Sequence, residues 1–290
     1  MNLLEPDEPA PFETVGVARP RPIVFVCDHA GRRMPRRLDH LGLEERHWAD
    51  HIAWDVGAAA VARALVERFD ASGVLAVYSR LVVDLNRDLD DASAFPALSG
   101  GVLVPGNLGL SAAAKGERAR ALYEPYHAAV DAALDRARTR DTDPVLVAVH
   151  SFTPRMHGVA RPWHVGVLWD KDPRLALRLL AALRAQPGVV AGDNEPYSGR
   201  HPADYTIDHH AEPRGIAHVS IEIRQDLIRD EGGQRDWAER VATALRGPLE
   251  DERLYRARTP AGPGAAPRAL GAPRPGSPAV FGAEVAGDIE

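Results

Sequence analysis

Short apolar runs alternate along this chain with segments of helical periodicity, and this alternation constrains the fold more than any other feature. Five runs rich in β-branched residues predict buried strands: 22–27, 74–85 (one long strand or two short ones), 145–149, 164–169 and 216–223. Helices are predicted between them, over 55–69, 111–138, 173–185 and 234–245. In the longest helix, Ser111 suits an N-cap and Pro125 predicts a kink or a break. This order of elements favours an α/β fold, a three-layer αβα sandwich around a mixed, mostly parallel sheet.

Length and composition favour one domain. A chain of 290 residues with 45% hydrophobic residues can bury a large core, and we expect residues 1–256 to form a single catalytic domain. Residues 257–290 contain 6 Pro and 6 Gly, so we expect a disordered tail there. No apolar run approaches the ~20 residues that span a bilayer, and residues 1–11 are acidic and proline-rich, unlike a signal peptide. The sequence therefore predicts a cytoplasmic protein without a membrane partner.

Cysteine content and net charge limit which metal sites and which partners are compatible with the sequence. Cys27 is the one cysteine of the sequence, which excludes an intramolecular disulfide and a cysteine-rich zinc site. A bound metal must then be held by imidazole and carboxylate groups. Cys27 itself is predicted to be a small core residue, with a nucleophile beside His29 as the alternative. The net charge of −6 argues against a nucleic-acid partner.

Four short polar motifs follow or end the predicted strands. They are Asp-His-Ala-Gly at 28–31, Asp-Leu-Asn-Arg at 84–87, His-Ser-Phe at 150–152 and Glu-Ile-Arg at 222–224. The carboxyl ends of strands form the ligand crevice of an open α/β sheet, so we expect these motifs to converge. Histidines, carboxylates and arginines gathered in one crevice indicate a metal hydrolase for an anionic substrate.

The two histidines of these motifs are the first metal-ligand candidates. His29 lies in a turn-like sequence after a strand, where a polar residue that caps the next helix is the alternative. His150 ends a very apolar strand, so its imidazole needs a metal, a carboxylate or a backbone carbonyl as partner. Two such histidines on separate strands support each other.

Two carboxylates are candidates for ligand and base. Asp55 opens a predicted helix, where the helix dipole and capping alone explain an acidic residue. Glu222 shares one strand face with Ser220 and Arg224, so a surface pair with Arg224 on an edge strand is the alternative. Buried in a desolvated site, Glu222 would instead have a raised pKa, which suits a general base.

The segment 80–87 offers the anion-binding candidates. Arg87 with Asn86 can grip a carboxylate, and Arg80 can stabilise an oxyanion. Asp84 is placed to orient one of these groups. An ordinary structural salt bridge is the alternative for Arg80.

Seven ordered blocks of this sequence resemble the N-formylglutamate amidohydrolase family, within the wider zinc carboxypeptidase and aspartoacylase group. They are CDHAG at 27–31, HIAWD at 51–55, SRLVVDLNR at 79–87, HSFTP at 150–154, GVLWD at 166–170, NEPYS at 194–198 and IEIRQD at 221–226. The resemblance covers roughly residues 20–245. It implies an αβα sandwich of the phosphorylase/hydrolase-like kind.

The resemblance also implies a zinc site, with another divalent metal as the alternative. In the wider group a first histidine, a nearby acidic residue and a later His-Ser pair hold the metal, which implies His29 and His150 here. The usual acidic ligand lies three residues after the first histidine, where this chain has Arg32. We therefore expect Asp55 as the third ligand, with Asp28 as the second choice.

The remaining roles follow from the same resemblance. The group's Asn-Arg pair implies that Asn86 and Arg87 bind the substrate carboxylate. Arg80 is implied to polarise the scissile carbonyl, and Glu222 to act as general base.

The activity implied is hydrolysis of N-formyl-L-glutamate or a related small, anionic N-acyl amino acid, giving formate or a carboxylate and a free amino acid, in histidine degradation. Two alternatives stay open. One is a carboxypeptidase or amidase for a peptide or cell-wall fragment, working on the same site. The other is a non-catalytic binding protein of this fold, which the replacement of an acidic residue by Arg32 favours.

Several polar residues are further candidates for substrate or metal binding, and the sequence does not rank them. A glutamate side chain needs a further cation, and the candidates are Arg155, Arg161, Arg200 and Arg214. Tyr197 is a candidate to close over a substrate, although its surroundings are equally typical of a turn. Six histidines are alternatives to Asp55 as a ligand: His157, His164, His201, His209, His210 and His218.

Overall fold

A seven-stranded mixed sheet forms the centre of the computed structural model, which describes residues 2–18, 20–200 and 204–258. Its strands are β1 (Phe12–Gly16), β2 (Ile23–Cys27), β3 (Ser72–Ala76), β6 (Val145–Phe152), β9 (Val165–Leu168), β10 (Ala191–Asp193) and β11 (His218–Arg224). Two hairpins supply the remaining short strands, β4 (Leu98–Ser99) with β5 (Val102–Leu103) and β7 (Arg155–Met156) with β8 (Val159–Ala160). The predicted tail lies outside the described residues from 259 onward.

The strands lie in the order β1-β3-β2-β6-β11-β9-β10. The four central strands β3, β2, β6 and β11 are parallel, whereas β1 runs antiparallel to β3 and β9 antiparallel to β11. The carboxyl ends of β2, β6 and β11 therefore meet at one edge of the sheet. The start of β9 reaches the same edge, because Val165 pairs with Ile223.

Helices cover both faces of the sheet, which confirms the αβα sandwich. They are α1 (Glu45–Trp48), α2 (Ala58–Arg68), α3 (Ala112–Arg118), α4 (Glu124–Ala137), α5 (Pro173–Arg184) and α6 (Glu231–Leu249). Alternate residues of the buried strands face opposite layers: Phe25 belongs to the apolar cluster that includes α2, α5 and α6, and Val26 belongs to the cluster that includes α4. None of the helices described here has both the length and the apolar character needed to cross a membrane.

The structure corrects three predicted elements. The expected strand 74–85 ends at Ala76, and residues 77–87 form a loop. The long helix begins at the predicted cap, where Ser111 Oγ accepts a hydrogen bond from Ala114 N, but a π-helical segment, Ala119–Tyr123, separates α3 from α4. Pro125 lies in the first turn of α4, where its missing N–H costs nothing.

Strand β6 continues past Val149 to Phe152, so His150 lies within the sheet and not after it. The antiparallel edge strand β1 and the short β10 were not predicted, because β1 is half-exposed and β10 spans three residues. Both strands lie at the margins of the sheet and away from its central strands.

Candidate active site

Three of the predicted metal ligands come together at the carboxyl ends of β2 and β6. His29 directly follows Asp28 at the end of β2, His150 lies within β6, and Asp55 precedes α2. Each offers one ligand atom, and these atoms lie within 4.8 Å of one another. All three residues are buried. We call His29, Asp55 and His150 the first cluster.

A carboxylate lies behind each imidazole of the first cluster. Nε2 of His29 lies 2.8 Å from Asp84 Oδ1, and Nε2 of His150 lies 3.2 Å from Asp28 Oδ2. The opposite nitrogens face Asp55, because its Oδ2 lies 3.4 Å from His29 Nδ1 and 2.9 Å from His150 Nδ1. An imidazole whose outer N–H faces a carboxylate presents its other nitrogen in a fixed orientation, as metal-binding histidines do.

The loop after β2 holds His29 through a close backbone approach. A Cβ on Gly31 would lie 2.1 Å from the carbonyl oxygen of Val77, so only glycine fits. The backbone N–H of Asp55 donates to the carbonyl of His29 at 2.9 Å, and the side chain of Asp55 accepts from Ser151 N at 3.3 Å. Asp55 thus connects the end of β2 with β6. It does not cap α2, whose N-cap is Gly57.

The Asp28 carboxylate is anchored from a third direction. Its Oδ1 accepts hydrogen bonds from Tyr126 at 2.7 Å and from Thr206 at 2.8 Å. Burial alone would raise its pKa, but the adjacent His150 imidazole, with His29 and the hydrogen bond from the Tyr126 hydroxyl, lowers the pKa of Asp28 to about 2. Asp28, the second-choice ligand, therefore stands as a charged partner behind His150.

Charge in the first cluster favours a cation. Burial opposes ionisation, but the two histidines lower the pKa of Asp55 below its ordinary range. Burial also lowers the pKa of His150, yet Asp28 and Asp55 outweigh it and raise that pKa well above its ordinary value. The Asp28 and Asp55 carboxylates thus stabilise positive charge at the first cluster.

Glu222 stands beside His150. The two residues are register partners in the parallel pair of β6 and β11, so their side chains project from the same face. Oε2 of Glu222 is buried without a hydrogen-bond partner among the described residues. Burial, with a contribution from the Asp55 carboxylate, raises the pKa of Glu222 to about 7.

The alternative of an edge-strand surface pair for Glu222 is wrong. Strand β11 lies between β6 and β9, and Arg224 pairs with Asp226 at 2.8 Å. A Cβ on Gly166, opposite Glu222 in β9, would lie 2.1 Å from the carbonyl oxygen of Glu195. This glycine lets the segment after β10 pack directly beside Glu222.

The arginine and asparagine candidates lie in the loop 77–87. Arg80 donates to Asp84 Oδ2 at 2.6 Å, so the structural salt bridge exists, and its Nη1 also lies 3.2 Å from His29 Nδ1. Oδ1 of Asn86 accepts from Thr206 N at 2.9 Å, and the Arg87 carbonyl accepts from the Tyr123 hydroxyl at 2.9 Å. These two hydrogen bonds fix the end of the loop against Thr206 and against Tyr123, the last residue of the π-helical segment before α4.

The spare histidines do not join the first cluster. His157 is exposed, His164 accepts from Val190 N, and His218 bonds the carbonyl of Ile216, while His201 lies outside the described residues. Cys27 is a fully buried core residue, and burial raises the pKa of its thiol well above the ordinary value. The thiolate that a nucleophile requires is therefore disfavoured.

Sequence reasoning missed a second group of histidines and a carboxylate. Asp131 on α4 and His209 and His210 on the π-helical segment Ile207–Ala211 also place one ligand atom each within 4.8 Å of one another. We call these three residues the second cluster. The adjacent pair at 209–210 was visible in the sequence, but nothing there placed it beside α4.

Most of this chain is similar to known proteins. A family model described as N-formylglutamate amidohydrolase matches residues 21–229. The N-formylglutamate deformylase of Pseudomonas aeruginosa is 28% identical over 252 residues, which are 79% of this chain and 91% of that protein. The crystal structure of a gene product of Agrobacterium tumefaciens is 35% identical, covers 86% of this chain and 98% of its own, and superposes with a TM-score of 0.83.

A second solved structure shares the fold. It is an N-formylglutamate amidohydrolase from Ralstonia eutropha, with 20% identity and a TM-score of 0.59. The match covers 84% of this chain and 99% of that one.

Proposed function

This chain belongs to the N-formylglutamate amidohydrolase family, and we propose that it is a zinc-dependent hydrolase of N-formyl-L-glutamate or a related N-acyl amino acid. The products are formate, or another carboxylate, and a free amino acid. One observation carries the proposal: two imidazoles and a carboxylate converge at the strand ends beside a buried glutamate that lacks a hydrogen-bond partner among the described residues.

The residues of the first cluster fit a divalent cation. Two imidazoles and one carboxylate are a ligand set that zinc accepts, and three protein ligands leave a position open. When bound there, the cation supplies a Lewis acid that lowers the pKa of a water toward about 7. His29, Asp55 and His150 would hold it, with Asp84 and Asp28 orienting the two imidazoles.

Glu222 is the proposed general base. Its raised pKa, about 7, matches a group that takes a proton from water near neutral pH and returns it to the leaving nitrogen. Its carboxylate is not committed to Arg224, so it is available for this transfer.

Arg80 and the Asn86-Arg87 pair are proposed to handle the charges of the substrate. Arg80 lies beside His29 at 3.2 Å, next to the position where a carbonyl oxygen gains negative charge during attack. Asn86 and Arg87 are proposed to bind the α-carboxylate, which fixes the acyl group relative to Glu222.

The experiment combines metal analysis with a formate assay. Protein purified without added metal is analysed for zinc, and formate release from N-formyl-L-glutamate is followed before and after chelation. We expect about one zinc per chain and chelator-sensitive formate release. Formate release that survives complete removal of metal would contradict metal dependence, and metal-loaded protein that releases no formate would contradict the substrate.

A further inference from the structure

Four arginines are candidates to recognise a second carboxylate, and the structure separates them. Arg155 is exposed and bonds the carbonyl of Gly158, and Arg200 is exposed. Arg214 is committed to Asp131 of the second cluster at 2.6 Å. Arg161 differs from all three, because only 8% of its surface is exposed.

Arg161 lies at the edge of the sheet that carries the first cluster and Glu222. Its backbone N–H donates to Pro154, two residues beyond the end of β6, at 2.9 Å. Its carbonyl oxygen accepts from Arg224, at the end of β11, at 3.3 Å. The guanidinium also lies 5.7 Å from the ring centre of Phe152, the last residue of β6. Arg161 therefore lies at the ends of β6 and β11, the two strands that carry His150 and Glu222.

The partners of Arg161 are neutral. Nη1 donates to the Tyr197 hydroxyl at 2.9 Å and contacts Thr153 Oγ1 at 3.3 Å, and Nη2 contacts the thioether of Met156. No carboxylate among the described residues lies within salt-bridge distance of it. A thioether is a weak acceptor on a flexible side chain and is easily displaced. A buried guanidinium without an anion is costly, so a binding anion gains unusually strong hydrogen bonds here.

Tyr197 links Arg161 to the reacting groups. The guanidinium stacks over its ring, 4.8 Å from the centre, and Tyr197 as a whole remains 37% exposed. Burial raises the pKa of Tyr197, the Glu222 carboxylate raises it further, and Arg161 and Arg80 oppose this. Tyr197 and Arg161 therefore share an electrostatic neighbourhood with Glu222 and Arg80.

We propose that Arg161, oriented by Tyr197, binds the side-chain carboxylate of an acidic N-acyl amino acid and so selects acidic substrates over neutral ones. This inference rests on the proposed function. The two carboxylates of the substrate then have separate binding groups: Asn86 and Arg87 bind the α-carboxylate, and Arg161 binds the carboxylate of the side chain. Arg161 is a specificity determinant in this account and takes no part in proton transfer.

The test compares N-formyl-L-glutamate with N-formyl-L-glutamine, which has the same shape and no side-chain charge. We expect the wild type to prefer the glutamate compound by roughly 10- to 100-fold in kcat/KM, as the loss of charged hydrogen bonds implies. In Arg161→Gln the preference should fall to near 1, because kcat/KM for the glutamate compound falls much further than kcat/KM for the glutamine compound. Arg161→Lys should keep part of the preference, and the control Arg155→Gln all of it.

Two outcomes would overturn the inference: a wild-type preference that survives in Arg161→Gln, or a wild type without preference. Tyr197→Phe serves if Arg161→Gln does not fold, because it removes the hydroxyl that accepts from Arg161 and should weaken the preference. If neither compound releases formate, the proposed function fails, and calorimetric titration of both compounds still decides the inference. A binding preference for the glutamate compound that is lost in Arg161→Gln supports it, and equal binding of the two compounds by the wild type overturns it.

Discussion

Two groups of histidine and aspartate lie in this molecule with nearly the same spacing, and their surroundings separate them. Both clusters place three ligand atoms within 4.8 Å. In the first cluster, Asp84 and Asp28 stand behind the imidazoles and leave their inner nitrogens directed at Asp55. In the second cluster, Arg214 lies 2.6 Å from the Asp131 oxygen that His210 also contacts. This guanidinium competes with a metal ion for the carboxylate. In the first cluster the Arg80 guanidinium is bonded to Asp84 at 2.6 Å and lies farther from the ligand carboxylate, 3.7 Å from Asp55 Oδ1.

The second cluster is part of a closed hydrogen-bond chain. Nδ1 of His210 bonds Asp131 at 2.7 Å, its Nε2 bonds His127 Nδ1 at 2.9 Å, and His127 Nε2 bonds the Leu85 carbonyl at 2.9 Å. The groups at the two ends of this chain, the Asp131 carboxylate and the Leu85 carbonyl, only accept hydrogen bonds. The three hydrogen bonds therefore require three ring N–H groups, whereas two neutral imidazoles carry only two. Burial lowers the pKa of His127 well below its ordinary value.

The comparison teaches that ligand spacing alone does not define a metal site. The first cluster has a carboxylate behind each imidazole, and its neighbouring guanidinium is held by Asp84, while in the second cluster a guanidinium bonds the ligand carboxylate itself. We therefore propose the first cluster for the cation and a structural role for the second, whose His210 bonds His127, the residue that contacts the Leu85 carbonyl.

The largest expected effect comes from matched Asp→Asn changes in the two clusters. Asp55→Asn removes a proposed ligand charge and should lower kcat/KM by on the order of 10³-fold or more, with loss of bound metal. Asp131→Asn should keep full metal content and activity within a few-fold. Metal analysis and the formate assay on both proteins check this. Equal losses in the two variants would break the distinction between the clusters.

Glu222→Gln should lower kcat by about 10²- to 10⁴-fold, because it removes the proposed proton acceptor and keeps the shape of the side chain. Metal content should remain at the wild-type level, since Glu222 is not a ligand in this account. Parallel metal analysis and steady-state kinetics separate the two roles. A variant that loses its metal would make Glu222 a ligand and not a base.

Asp84→Asn should cost about 10- to 100-fold in metal affinity or activity, because it weakens the partner that orients His29. The exposed Asp90, three residues after the loop 77–87, provides the control, and Asp90→Asn should behave as wild type. Competition with a chelator of known affinity measures the difference. Unchanged affinity in Asp84→Asn would show that the carboxylate behind His29 is dispensable.

The smallest effect is on stability and depends on pH. Burial opposes ionisation, but His210 and Arg214 lower the pKa of Asp131 to about 2. A carboxylate with a lowered pKa stabilises the fold above its unfolded value of about 4 and loses that contribution as pH falls toward 2. The wild type should exceed Asp131→Asn by about 1–2 kcal/mol in free energy of unfolding above pH 5, and by less at pH 3. Urea titrations at both pH values test this, and a constant difference would contradict it.

The sequence predicted the sheet and the strand ends well because both depend on local apolar patterns. The strand ending at Cys27 was placed correctly, and its motif 28–31 lies where the crevice forms. Strand 74–85 was predicted too long, because Leu81, Val82 and Val83 are buried in a loop and not in a strand. Residues buried in a loop and residues buried in a strand show the same apolar sequence pattern.

The partners of the site residues were less accessible to sequence reasoning. The contacts of Asp55 with His29 and His150 join residues 26 and 95 positions apart in the chain, and only the fold brings them together. Likewise, nothing near Arg161 in the sequence ranked it above Arg155, because its burial depends on Tyr197 and Phe152. The hydrogen-bond partner of each polar residue depends on the tertiary structure and not on the local sequence.

Anomalous diffraction at the zinc edge tests the central claim most directly. Crystals of the full chain loaded with zinc would be measured above and below the absorption edge, and the difference map would locate each bound zinc ion without reference to activity. We predict one strong peak within bonding distance of His29, Asp55 and His150, and none at the second cluster. A peak among Asp131, His209 and His210, with none at the first cluster, would contradict the account.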